Sequence, residues 1–214
     1  MTPLSAFFPD ILVDVPKCPE PIAQYHLVHT LSDFCVRTRA LTEILDPVDV
    51  EANTQSYTVE PSLGKHYLVR IEEAWLNGVR LSPADVTYLD AHLRDWRSET
   101  GLPSAFTSED GVGTLMLIPV PAASAAGALR VKIAYAPDPA NPPTEVDPLL
   151  LRRFAAVIAA GTKARLFGIA NQAWTDHNLS AKWEGVYRQE IAKAAWVIDG
   201  GNTRAPQRTR TYYR

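Results

Sequence analysis

His26 and His29 stand three residues apart, a spacing that puts two imidazoles on one face of a helix, where they could hold a metal ion. No third ligand follows nearby, and His26 borders an apolar stripe, so we read the pair as packing or as part of a solvated face. Glu72 and Glu73 are adjacent in an alternating stretch. Successive strand residues face opposite ways, so these two carboxylates cannot share a proton as a catalytic pair. Gly111-Val112-Gly113 begins like a phosphate loop, but it lacks the later glycine and the lysine, and no helix is predicted after it. His66, His92 and His177 fall into no pattern, and neither G-x-S-x-G nor H-E-x-x-H occurs. Cys18 and Cys35 give neither a disulfide framework nor metal-ligand spacing, and Cys35, on an apolar helix face, reads as a buried thiol. No catalytic residue, metal or cofactor is therefore expected, although a site assembled from distant residues stays open.

The remaining candidate is the C-terminal tail, residues 202–214. Arg204, Arg208, Arg210 and Arg214 lie in it with Tyr212 and Tyr213, with no acidic residue and no apolar periodicity. It is either a solvated terminus or a docking peptide, since arginine and tyrosine are favoured at interfaces.

What must carry this tail is a helical pair. Asp147 and Pro148 suit the start of a helix, and Leu150, Phe154, Val157, Gly161, Ala164 and Gly168 recur at steps of four and three. A second stripe, Leu151, Ala155, Ile158, Thr162 and Ile169, lies beside the first, so this helix is expected to be covered on more than one side. A following helix is capped by Asp176, shows Leu179, Trp183, Tyr187, Ile191, Ala194 and Ile198 on one face, and ends at Gly200-Gly201. Earlier in the chain, residues 2–18 read as an arm. Pro19-Glu20-Pro21 opens a helix with Ile22, Tyr25, Val28, Leu31, Cys35 and Leu41 on one face, running to about Ile44.

From about Asn53 the period falls to two. Strands are predicted near residues 55–60, 67–76, 79–81, 104–108, 114–119 and 128–136, with Asn77-Gly78 as a tight turn. A helix is predicted from Ser82-Pro83-Ala84-Asp85 to Trp96 or Arg97, and the proline-rich stretch 137–143 links back to the helices. The expected fold class is α+β: a helical bundle of the N-terminal helix and two long C-terminal helices, with a β-rich insertion and an extended basic tail. The expected parts are an arm and helix at 1–52, a β-rich insertion with one helix at 53–144, C-terminal helices at 145–201 and the tail at 202–214.

The 214 residues, 46% hydrophobic and 21% charged, suit a folded protein with one good core or a domain with a large insertion. The net charge of −3 becomes about −7 when the four tail arginines are set aside, which argues against nonspecific nucleic-acid binding by the body. No apolar run has the length of a membrane span and no secretory leader is visible, so an intracellular protein without membrane contact is expected.

Several phrases give the chain a resemblance. They are Asp14-Val15-Pro16-Lys17-Cys18-Pro19 ahead of a helix ending Phe34-Cys35, and Glu73-Ala74-Trp75-Leu76-Asn77-Gly78 at a hairpin. Leu117-Ile118-Pro119-Val120-Pro121, Gly161-Thr162-Lys163-Ala164-Arg165-Leu166 and Ala173-Trp174-Thr175-Asp176 follow. Together with the order of elements, they resemble the bacteriophage head-to-tail adaptor (connector) proteins of short-tailed phages, of the tail tubular protein A type. The resemblance implies a structural virion protein of the neck or tail, made in the host cytoplasm, and not an enzyme. It implies a ring, usually of twelve subunits, beneath the portal protein, with a tail nozzle or tail tube below and DNA passing through without specific binding. It also implies that the C-terminal segment grips the portal, which makes Arg204, Arg208, Arg210, Tyr212, Tyr213 and Arg214 the portal-docking residues. A nucleic-acid-binding module and an enzyme remain the other classes: the first needs a basic face beyond the tail, the second a convergent polar pocket.

Overall fold

The computed structural model describes residues 1–108 and 113–200. Among these, five helices occur: α1 (Phe8–Leu12), α2 (Glu20–Thr38), α3 (Val86–His92), α4 (Pro148–Phe167) and α5 (His177–Asp199). Three of these helices start at a capping carboxylate. Asp147 accepts from the Leu149 N–H at 2.7 Å, and Pro148 needs no partner at the first position of α4. Asp176 accepts from Asn178 and Leu179 at 2.9 and 3.0 Å to open α5. Asp85 does the same for α3 through Thr87 and Tyr88, at 2.7 and 3.3 Å.

Two helix boundaries differ from those expected. α2 stops at Thr38 and does not continue to Ile44, because Arg39 adopts a left-handed conformation (φ 53°) and its N–H closes on the Cys35 carbonyl at 2.8 Å. The apolar spacing continues through Leu41, but that residue leads into the strand Thr42–Ile44. α3 begins after Asp85, three residues past the expected Ser82, and ends at His92, short of Trp96. Ser82–Pro83 instead forms a short strand parallel to Ala105–Thr107, and Asp95 takes φ 62° beyond the helix.

The chain divides into two compact units, one made of Met1–Ala40 and the chain from Thr144, the other of Leu41–Pro143. In the first, α4 is the central element, packing against α1, α2 and α5. Leu150, Phe154, Ile158 and Leu166 are buried along it, each stabilising by about 1.5–3 kcal/mol through burial. The arm contributes as well: Phe7, Ile11 and Val15 are fully buried in a short 3-10 turn, α1 and the segment after it. Thr2–Pro3 pairs antiparallel with Glu145–Val146 as a two-stranded sheet.

The second unit holds three sheets. Its largest is built on the long strand Ala125–Pro137, which pairs with His66–Leu76 along one edge and with Thr42–Ile44 and Val48–Val50 along the other. Two register shifts against His66–Leu76 curl this sheet, as bulges do. A four-stranded sheet orders Ser56–Thr58, Thr114–Ile118, Ala105–Thr107 and Ser82–Pro83. Thr100–Gly101 pairs with Val120–Pro121 as a third. Leu115, Leu117, Leu129 and Ile133 lie at the heart of a core shared by these strands, and a satellite cluster of Leu89, Trp96, Met116 and Ile118 seats α3.

The class is α+β, but the expected architecture is corrected. The protein is not a helical bundle of an N-terminal helix and two long C-terminal helices with a β insertion. Among the described residues, two of the five helices have only five and seven residues, and thirteen strands form four sheets. The physical reason is visible in Thr114–Ile118 and Ala125–Pro137, whose buried side chains give the sheets a core of their own. The helical stripes are longer and more regular in sequence than the strand alternation, and they drew the expectation towards a bundle. The tail, 202–214, lies outside the described residues.

Candidate functional site

The residues nominated by sequence for chemistry are mostly committed to packing. His26 and His29 share one face of α2 with Tyr25, whose ring lies 5.1 Å from the first imidazole and 4.5 Å from the second. Burial, then the positive Arg165, then His29 hold His26 below the ordinary histidine value, which favours its neutral form. No group of three or more His, Cys, Asp or Glu side chains able to hold a metal ion occurs among the described residues. Glu73 pairs with Arg80 at 3.1 Å across the hairpin, and Glu72 sits at a register shift of the same strand. His66 bonds the Gly64 carbonyl, and His92 stacks on Tyr88. His177 opens α5. Burial pushes the thiols of Cys18 and Cys35 up, which keeps both protonated. Of Gly111-Val112-Gly113, the first two residues lie outside the described residues, and Gly113 takes φ 85°.

A cavity of about 420 Å³ opens in the β unit between Leu68–Ile71, Pro83–Thr87 and Phe106–Ser108. Its charged side chains are Arg70 and Asp85, and the Asp85 carboxylate is spent capping α3. A second cavity of about 370 Å³, with Leu76, Leu102, Pro103 and Pro121 in its walls, is largely apolar. Among the described residues, no helix is long and apolar enough to cross a membrane.

The surface from which the tail departs is built as follows. α5 presents Tyr187, Ile191 and Ala194 to the interior of the helical unit. The carboxylate of Asp199 then takes the guanidinium of Arg39 at 2.6 Å, fastening the end of α5 to the end of α2. Both side chains are partly exposed, 31% and 52%, so this pair contributes only about 0–1 kcal/mol and acts mainly as a positional tie. Gly200 closes the helix, its N–H on the Trp196 carbonyl at 3.0 Å. One turn before the exit, Trp196 is 70% exposed and Val197 41%. Sequence reading passed over this pair. The available signal was angular: Trp196 is two residues from both Ala194 and Ile198, roughly 200° round the helix from the buried stripe. The expected docking residues, Arg204, Arg208, Arg210, Tyr212, Tyr213 and Arg214, lie outside the described residues.

The SU10 adaptor protein family matches residues 20–210 of this chain. No curated protein matches it.

Proposed function

The chain belongs to the SU10 adaptor protein family and is a phage adaptor protein, a virion component; from that premise we propose that it forms the ring joining the portal to the tail nozzle or tail tube. In this reading twelve copies close head to tail around a channel, DNA crosses the channel on its way out of the head, and the C-terminal tail docks on the portal.

The observation that carries the reading is the extent of the family match, which takes in both compact units and runs into the tail as far as Arg210. Charge supports it. A body at about −7 without the tail arginines repels a phosphate backbone, which suits a conduit through which DNA slides. The tail has the opposite sign and suits a carboxylate-bearing partner.

The test is electron microscopy of the purified protein mixed with portal rings, beside light scattering of the protein alone. We expect monomers or small species alone and a closed ring on one face of the portal when the two are mixed. A protein that never forms a ring, with portal or in assembled particles, overturns the reading.

A further inference from the structure

A strand at the edge of a sheet offers a row of backbone N–H and C=O groups to any chain that can lie beside it. The largest sheet of the β unit is open at both ends. At one end Thr42–Ile44 and Val48–Val50 lie along the same side of Ala125–Pro137, and among the described residues no strand pairs beyond them. At the other end is His66–Leu76, with which the return strand Val79–Arg80 pairs only at Trp75 and Leu76. Leu68–Ile71, past the reach of that return strand, border the cavity of about 420 Å³ whose other walls are Pro83–Thr87 and Phe106–Ser108.

The two ends differ in chemistry, and each suits the other. On the first, Ile44 is 61% and Val48 39% exposed. Around them, residues 41–64 carry five carboxylates (Glu43, Asp46, Asp49, Glu51 and Glu60) and no basic side chain. The second end is a groove with Leu68, Val69, Ile71 and Phe106 in its walls and one exposed cation, Arg70. Asp85, the carboxylate among the described lining residues, is spent on the cap of α3. Resting on the ring reading, we infer that neighbouring copies join through these two edges. The Thr42–Val50 edge of one copy lies in the groove beside Leu68–Ile71 of the next. Two observations select a second copy as the occupant. One is topology: the edges lie on opposite sides of Ala125–Pro137, so each copy carries both halves of a head-to-tail contact, the kind that closes into rings. The other is complementarity: an apolar edge with carboxylates and no cation meets an apolar groove that holds an arginine. Strand direction is compatible. Thr42–Ile44 and His66–Leu76 both run antiparallel to Ala125–Pro137, so a sheet carried on by a small rotation pairs them in parallel.

The test is cross-linking of the full-length protein mixed with purified portal rings, read beside electron microscopy. Thr42→Cys marks the first edge and Thr87→Cys the wall of the groove, both at exposed positions, and a short bismaleimide joins them. The native Cys18 and Cys35 are buried, and the two single variants control for them. We expect a ladder of cross-linked species from the double variant, dimers from a mixture of the two single variants, and neither from a single variant alone. Ile44→Asp and Arg70→Glu should each abolish ring formation while circular dichroism stays that of wild type. The cysteine pair decides the matter if either of these folds poorly. Rings that form without cross-links and tolerate both substitutions overturn the edge contact and leave the ring reading intact. Thr42→Cys cross-linking to itself shows a two-fold contact and overturns the edge contact as well. Ladders without a closed ring keep the edge contact and remove the ring. Neither ladder nor ring overturns both.

Discussion

The hydroxyl of Tyr187 on α5 donates to Oδ2 of Asp33 on α2 at 2.8 Å, while Arg37 holds Oδ1 of the same carboxylate at 3.0 Å. This link crosses directly over α4 at Gly161. A Cβ on Gly161 would lie 2.7 Å from the Thr30 methyl and 2.8 Å from the Tyr187 ring. One missing side chain therefore lets two helices meet over a third, and the position of α5, with everything at its end, depends on it.

Removing the hydroxyl with Tyr187→Phe is expected to cost about 1–2 kcal/mol, the usual loss when one partner of a buried hydrogen bond is deleted. The effect also has a pH signature. Burial, and then the bond and charge of Asp33, raise the Tyr187 hydroxyl above its ordinary value of 10.0. The fold thus favours the protonated phenol, and that stability is whole below about pH 10 and is lost as the pH climbs towards the raised value. Urea titrations at about pH 9 and about pH 11 should show a larger loss for the wild type than for Tyr187→Phe. An equal loss in both proteins would contradict the assignment.

Gly161→Ala should destabilise by about 1–3 kcal/mol although alanine is the better helix former, because the new methyl has no room. Phe154→Ala, which removes a 6%-exposed ring packed 5.0 Å from Phe34, should cost about 3–5 kcal/mol. Chemical denaturation reads both. A Gly161→Ala variant more stable than wild type would mean that the three helices do not approach as described.

Lys163 is 8% exposed on α4, paired with Asp14 and lying 4.5 Å from the centre of the Trp183 ring. Asp14→Asn leaves a buried ammonium without its counter-charge. The cost is expected at about 1–2 kcal/mol, below that of a fully buried pair because the Asp14 side chain is 43% exposed. Lys163→Met removes the buried charge itself and leaves a carboxylate that water can reach, so it should be the milder change. Thermal melts that rank the two variants the other way would show that the stem and ring contacts of Lys163, not its charge, matter most.

Local chemistry was largely legible in the sequence. Asp147 and Asp176 announced their helices by type and position. Asn77 and Gly78, at φ 50° and 79°, make the turn between Leu76 and Val79 that the dipeptide predicts. Failures came where tertiary structure overrode a local signal. Leu41 continues the stripe of α2 and is buried, yet it belongs to the β unit, and only the left-handed Arg39 separates the two. Ser82 looks like a cap, but the backbone at Ser82–Pro83 is held by Ala105 and Phe106, leaving Asp85 to open α3. The weight of the sheets was underestimated because short alternating runs carry less signal than a helical stripe. At the candidate site, exposure is a three-dimensional property, and Trp196, 70% exposed, belongs to no stripe named from the sequence.

A chain ending at Gly201 separates the two duties of the C-terminus. Among described residues, the last buried contacts of α5 are Tyr187, Ile191 and Ala194, and Gly200 already closes the helix on the Trp196 carbonyl. Residues 202–211 carry no large apolar side chain, and Tyr212 and Tyr213 stand at the far end of the sequence, so removing the tail should expose little apolar area to water, and the melting temperature should stay within about 2 °C of wild type. Docking is another matter. Arg204, Arg208, Arg210 and Arg214 can each form paired bonds to a carboxylate, while Tyr212 and Tyr213 bring area with few torsions to freeze. Loss of all six should abolish attachment to the portal at physiological salt. Contacts of this kind weaken as salt rises, so the wild-type complex should loosen with ionic strength more steeply than one held by apolar contacts alone. Attachment by the shortened chain at wild-type strength would refute the docking role, and a shortened chain that fails to fold would place the tail in the core.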